Sequence, residues 1–378
     1  MNTQPLSKTD ISHAIGLSRI LLIIGLVCLH YGNFPNSPQS PFQGVDIHEH
    51  QFVTWLNSTV LFFFFSAVPL LSMVSGWLFF SFPAEDAKAS IKKRILRRFT
   101  SLYMPLIVWN FGYSCMLFVV YKIKPDASFF TSSNRISMPF ATAGILDYIN
   151  AITGLNGSPL AFQFWFVRDL FVTILVTPIL WLGLRSAPYL SALILGAIWL
   201  YGYNMVIFTR PDVPFFFLLG GLICSQSIPL TVPKKTTIIL FALYIILVSL
   251  RALAPYVIVA EYDHGPLWLD AGTRLMRLVG VVACWGIIYR AAKTALGKRV
   301  SVYGGLAFFL HSAHWPLLAV VKMVLWKLIP SDTDLWMVIH WWASVATTIA
   351  IGLALGLALA RFFPRIFAYM NGGRLLTQ

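Results

Sequence analysis

The chain has 378 residues, 58% of them hydrophobic and only 11% charged, and its 28 lysines and arginines against 14 aspartates and glutamates leave a formal net charge of +14. Together with a mean hydropathy of +0.74, this excludes a water-soluble globular domain, where about 25% of residues are charged. Repeated long apolar stretches instead make the lipid bilayer the chain's solvent.

Ten such stretches follow one another, at 15–31, 56–82, 100–121, 161–183, 189–208, 213–228, 236–257, 271–291, 302–325 and 335–360. They predict an all-α fold, a polytopic transmembrane helical bundle of about ten spans, with 1–378 as a single transmembrane domain. The stretch at 213–228 is short and proline-bounded, as a broken or partial span would be. Lys8, Lys88, Lys92, Lys93, Arg94, Arg97, Arg98, Arg185, Lys234, Lys235, Arg290, Lys293, Lys298, Arg299, Arg361, Arg365 and Arg374 fall on one side of these spans. The other side holds Lys122, Lys124, Arg135, Arg210, Lys322 and Lys327. The positive-inside rule then puts both termini in the cytoplasm. The basic excess is topological, so nucleic acid is not an expected partner.

The first stretch carries Arg19 and His30, eleven positions apart. At roughly 100° and 1.5 Å per residue they share a helix face about 16 Å apart. Ionisable side chains inside a span mark a functional path by default, although an arginine near a span end also snorkels to headgroups. The outer loop 32–55 gathers Asp46, His48, Glu49 and His50. The i, i+2 histidine spacing suits an extended, solvated loop and supplies no helical i, i+4 ligand pair, so no metal site is expected. In the second stretch, small Ser75 and Gly76 allow close approach of another backbone.

The third stretch is entered through Lys92-Lys93-Arg94-Ile95-Leu96-Arg97-Arg98 and Ser101-Leu102-Tyr103-Met104-Pro105, followed by Trp109-Asn110. The fourth opens with Trp165-Phe166-Val167-Arg168-Asp169. Arg168 and Asp169 could form a local ion pair, but adjacent helical residues point about 100° apart, so separate partners are the expectation. Phe215-Phe216-Phe217-Leu218-Leu219-Gly220 marks the sixth stretch. The ninth contains His311 and His314, at i, i+3 on one face, as catalytic groups or polar interhelical contacts. The four cysteines, Cys28, Cys115, Cys224 and Cys284, lie in apolar stretches without a CxxC pair and read as small buried hydrophobes.

Taken in order, these segments resemble the acyltransferase-3 family of integral membrane O-acyltransferases, which acylate hydroxyls of glycans and related acceptors. The family's basic residue, ten residues and histidine fall on Arg19 and His30. Its SG-F/Y-L motif is similar to Ser75-Gly76-Trp77-Leu78. Its basic turn resembles Arg98 with Ser101-Leu102 and Pro105, though Leu106 stands where tyrosine is usual. Its W-F/Y-L-R motif resembles Trp165-Phe166-Val167-Arg168, with valine for leucine. Its late histidine corresponds to His314. No counterpart of the SGNH-type domain fused to some members is expected within 1–378.

The resemblance implies acyl transfer, acetyl or succinyl, from acyl-CoA to a hydroxyl of a cell-surface or periplasmic glycan, by a multi-pass protein of a bacterial inner membrane. It places His30, Arg19 and His314 in catalysis, with no metal and no permanently bound cofactor. Arg94, Arg97, Arg98 and Arg168 would bind the donor, since guanidinium forks match phosphate oxygens. A neutral His30 would take the hydroxyl proton as general base. The rival expectation is a polytopic saccharide transporter or polymerase without acyl chemistry. That reading calls for ionisable residues in several central spans and for internal repeats, and no repeat is evident.

Overall fold

Each apolar stretch meets helix in the computed structural model, which describes residues 8–34, 37, 39–125, 140, 142–203, 205–258 and 266–374. Arg135 of the outer loop 122–160 lies outside them. Among the described residues there is no strand. That is what lipid demands, because only a helix or a closed barrel satisfies every backbone donor and acceptor away from water. The helices are α1 (Lys8–Leu29), α2 (Gln51–Phe64), α3 (Ala67–Phe80), α4 (Ala87–Arg98), α5 (Met104–Ile123), α6 (Ile145–Thr153), α7 (Trp165–Leu175) and α8 (Thr177–Ser186). They continue as α9 (Pro188–Tyr201), α10 (Asp212–Ser225), α11 (Lys234–Ala252), α12 (Leu267–Ala291), α13 (Ala295–Ser301), α14 (Ala307–Leu325), α15 (Asp334–Phe362) and α16 (Pro364–Met370).

Among the described residues, seven helical segments are long and apolar enough to cross a membrane: Thr9–Leu29, Gln51–Phe80, Ala84–Ile123, Lys234–Ala252, Leu267–Ala291, Ala295–Leu325 and Asp334–Phe362. An eighth results if Phe162–Leu175 and Thr177–Ser186, bent by 60° to each other, form one broken span. Pro188–Tyr201 and Asp212–Ser225 are apolar but shorter. Proline accounts for the 60° bend. Pro178 in the first turn of α8 cannot donate to the carbonyl four residues back, and the chain bends there. At the α2–α3 break, just before Pro69, the Phe63 carbonyl is taken up by the Ser66 hydroxyl (3.1 Å) and the buried Tyr244 hydroxyl.

The described residues divide into two compact units. The first comprises residues up to 74 and 227–357. In it α1 packs against α13, the 3-10 turn Val302–Leu306 and α14. Gly16 and Gly304 make that approach possible, since a Cβ on Gly304 would overlap the Gly16 backbone. The Asp46–His50 segment of this unit is not the plain solvated loop its sequence suggests. Asp46 is 3% exposed and accepts from the Ser37 hydroxyl and the backbone of His48 and Glu49. His50, in left-handed conformation at the N-terminus of α2, pairs with Asp334 at 2.8 Å.

The second unit comprises residues 75–226 and 358–375. Here Gly76 of α3 lies against the Phe217 carbonyl of α10, with no room for a Cβ. Between α4 and α5 the chain widens into one π-helical turn, Phe99–Tyr103. The C-terminal segment clasps that turn: Arg374 donates to the Ser101 carbonyl (3.2 Å), and left-handed Gly372 packs on the same oxygen. Trp109 Nε1 donates to the Met370 carbonyl (3.0 Å).

Candidate active site

His30 directly follows α1, its amide still bonded to the Leu26 carbonyl (3.0 Å), before Gly32 at φ +73° turns the chain away. His314 lies on α14, fully buried, one residue before a break in that helix. The break is local chemistry. Trp315 precedes Pro316 and adopts φ −118°, ψ 131°, the extended region to which a residue before proline is pushed.

The two histidines meet. His30 Nδ1 and His314 Nε2 are 2.8 Å apart, and the rings are parallel within 1° with centroids 5.1 Å apart. His314 Nδ1 lies 3.3 Å from the Leu310 carbonyl, which only accepts. In the neutral ring the proton therefore sits on His314 Nδ1 and the lone pair on its Nε2. His30 must then donate from Nδ1, which leaves Nε2 as its basic nitrogen. His30 is half-buried, so this dyad reaches the protein surface through His30 alone. The His311 ring, 2% exposed, stands 5.6 Å from His314 on the same helix face. Arg19 is half-buried inside the same span as His30 and makes no hydrogen bond or ion pair with the described residues.

A second polar cluster grips the C-terminal end of α1. Lys322 of α14 donates to the carbonyls of Tyr31 (2.8 Å) and Asn33, and its ammonium sits 3.9 Å from the Tyr31 ring centroid. His340 of α15, 1% exposed, holds the Tyr31 hydroxyl at 2.9 Å and Trp326 Nε1 at 3.0 Å on its Nδ1. Asn57 of α2 donates to the Gly32 carbonyl (3.0 Å).

The basic residues belong to the second unit. Arg94 spends its guanidinium on the C-terminal carbonyls of α3, Leu78 and Phe79, and on Ser81. These are acceptors that a helix end leaves without intrahelical partners. Arg97 is exposed and Arg98 half-buried, in the last turn of α4 immediately before the π-helical turn. Arg168 departs from expectation. Rather than seeking separate partners, it bonds directly to Asp169 (2.9 Å), and also to the carbonyls of Gly154 (3.0 Å) and Ile207 (2.6 Å). Asp169 additionally accepts from the amides of Thr209 (3.1 Å) and Arg210 (2.9 Å). Both side chains are buried, and away from water the pair satisfies itself more cheaply than two separated charges would. Among the described residues no group of three or more His, Cys, Asp or Glu is placed to hold a metal ion.

The model of the acyltransferase-3 family, described as an acyltransferase domain, matches residues 12–361. The chain belongs to that family. It is a multi-pass membrane acyltransferase. Among curated proteins it is similar to the succinoglycan biosynthesis protein ExoH of Rhizobium meliloti (strain 1021), 26% identical over 326 residues, which cover 83% of this chain and 80% of that one. No solved structure matches.

Within this acyltransferase the motif residues divide sharply in environment. His30 and His314 come together from positions 284 residues apart in the chain. Arg94 and Arg168 turn inward onto backbone. Tyr31, Trp326 and His340 belong to no motif in the sequence, where Lys322 reads only as an outer positive charge. The one signal available was the rarity of an ionisable residue within an apolar stretch, which Lys322 and His340 share with Arg19.

Proposed function

We propose that this acyltransferase moves an acyl group, acetyl or succinyl, from acyl-CoA to a hydroxyl of a surface or periplasmic glycan at a bacterial inner membrane, with both termini in the cytoplasm. The observation that carries the reading is the His30–His314 pair, with a basic nitrogen directed from a half-buried ring. The glycan acceptor is supported by the likeness to a succinoglycan biosynthesis protein.

His30 Nε2 takes the proton of the acceptor hydroxyl as its oxygen attacks the thioester carbonyl. The C–O bond forms, the tetrahedral adduct collapses with cleavage of the C–S bond, and the proton on Nε2 passes to the departing thiolate. His314 holds the imidazolium formed in between, because its Nε2 accepts from His30 Nδ1 throughout. Such a base is worth about 10²–10⁴ in rate. Arg97 and Arg98 bind the donor phosphates, and Arg19 binds the acyl donor within the span. Arg94 and Arg168 serve the same function indirectly, by fixing the end of α3 and the start of α7.

The test is purified protein given acyl-CoA and a soluble acceptor, with product followed by mass spectrometry, which also separates an acetyl from a succinyl increment. Transfer in the wild type and its loss in His30→Ala are expected. Undiminished transfer by His30→Ala would remove the base role.

A further inference from the structure

His30 directly follows the last residue of α1, at an end exposed to fraying, since the final carbonyls of a helix lack intrahelical partners. A base that must meet His314 within a few tenths of an ångström cannot tolerate that. The cluster of Tyr31, Lys322, Trp326 and His340 is built at this end. Lys322 puts a positive charge on the Tyr31 and Asn33 carbonyls, the polarity that the C-terminal end of a helix favours. It also lies eight residues beyond His314 on α14, past the break at Trp315. One helix thus touches α1 at the dyad and again just past it.

His340 closes the arrangement. An indole N–H only donates, so the Trp326 contact makes His340 Nδ1 an acceptor. Its Nε2–H then faces the Lys322 carbonyl at 3.2 Å, and the single lone pair of Nδ1 is shared between the Trp326 indole and the Tyr31 hydroxyl. Every polar atom of the ring is used, and the two residues flanking the α14 end are tied to the residue next to His30. Buried ionisable groups in spans are costly, and a fully satisfied network is the form in which they rigidify a site.

We propose that His340 and Lys322 are positioning residues for the acyl transfer: acting through Tyr31, they lock the C-terminal end of α1 so that His30 keeps its bond to His314. The inference rests on the reading of His30 as the base, and its test separates the two. His340→Leu removes both acceptor and donor. His340→Asn offers an amide oxygen near the place of Nδ1. Tyr31→Phe deletes one hydroxyl and spares the packing. Steady-state kinetics with acyl-CoA and a soluble acceptor are measured alongside thermal unfolding.

Turnover by His340→Leu is expected to fall about a hundredfold, the effect of displacing a reacting group by about 1 Å, with KM for both substrates unchanged. Tyr31→Phe should lower turnover in the same manner without a shift in unfolding temperature, and Asn at 340 should restore most of it. If Tyr31→Phe and folded His340→Leu turn over at the wild-type rate, the clamp is overturned while the base reading stands. If KM and turnover fall together in step with stability and Asn rescues nothing, the cluster is scaffold only and the proposal fails. If His30→Ala itself still turns over, the base reading fails and the clamp with it.

Discussion

At the scale of single residues, the distinction that matters is which cations and imidazoles point at one another and which point at backbone. His30 and His314 share a proton path of one hydrogen bond. Replacing His314 by Ala should therefore reduce turnover nearly as far as His30→Ala, because His30 loses the acceptor that fixes its tautomer. Substitution by Gln, whose carbonyl can accept near the place of Nε2, should retain more activity than Ala. Initial rates of the three variants at saturating substrates check this. Arg98→Lys keeps the charge but loses the bidentate fork. It should weaken acyl-CoA binding by about tenfold, the equivalent of one charge-assisted hydrogen bond, without altering topology. Isothermal titration with acyl-CoA reads the change, and unaltered affinity would mark Arg98 as an anchor to headgroups only. Arg168→Ala belongs to another class. It leaves Asp169 buried without its counterion, which costs about 3–5 kcal/mol, so its loss of activity should track loss of folded protein in a thermal melt.

At the scale of elements, small residues and prolines decide where helices meet and where they break. Gly76 of α3 touches the Phe217 carbonyl of α10, and Gly76→Ala should destabilise by about 1–3 kcal/mol as the pair is forced apart. A lower unfolding temperature with no change in KM of the surviving fraction is the expected result. This contact was legible in the sequence as Ser75-Gly76 inside an apolar stretch, though its partner was not. The positions of α1, α7 and α14 were equally legible, because long apolar runs in lipid leave helix as the only economical backbone. Their interruptions were less so. Pro178 and Pro316 lie in plain view, yet whether a span tolerates a break depends on what satisfies the carbonyls left open there, and Tyr244, which takes the Phe63 carbonyl at the α2–α3 break, comes from α11. The π-helical turn at Phe99–Tyr103 had no sequence signal. It stands where the C-terminal Gly372–Arg374 segment closes on the Ser101 carbonyl, a contact made across 273 residues of chain.

At the scale of the whole molecule, the sequence carried the family through five short motifs in order, and the match over residues 12–361 bears that out. The motifs did not separate residues with an outward chemical role from those that hold the scaffold. Arg94 and Arg98 belong to one basic run, and nothing in that run marks Arg94 as the one that holds the end of α3. Conversely, His340 belongs to none of those motifs and lies among Trp341, Trp342 and other bulky residues that read as membrane packing. Its importance arises from geometry alone. The central claim is that the protein is an enzyme in its own right, using acyl-CoA and needing no gradient. It is tested most directly by purifying it in detergent, adding acyl-CoA and a soluble saccharide acceptor, and following acylated product by mass spectrometry. The account predicts steady product formation by the wild type and none above background by His30→Ala. Purified, folded protein that binds no acyl-CoA and forms no product, while vesicles containing it carry saccharide across the bilayer, would contradict it.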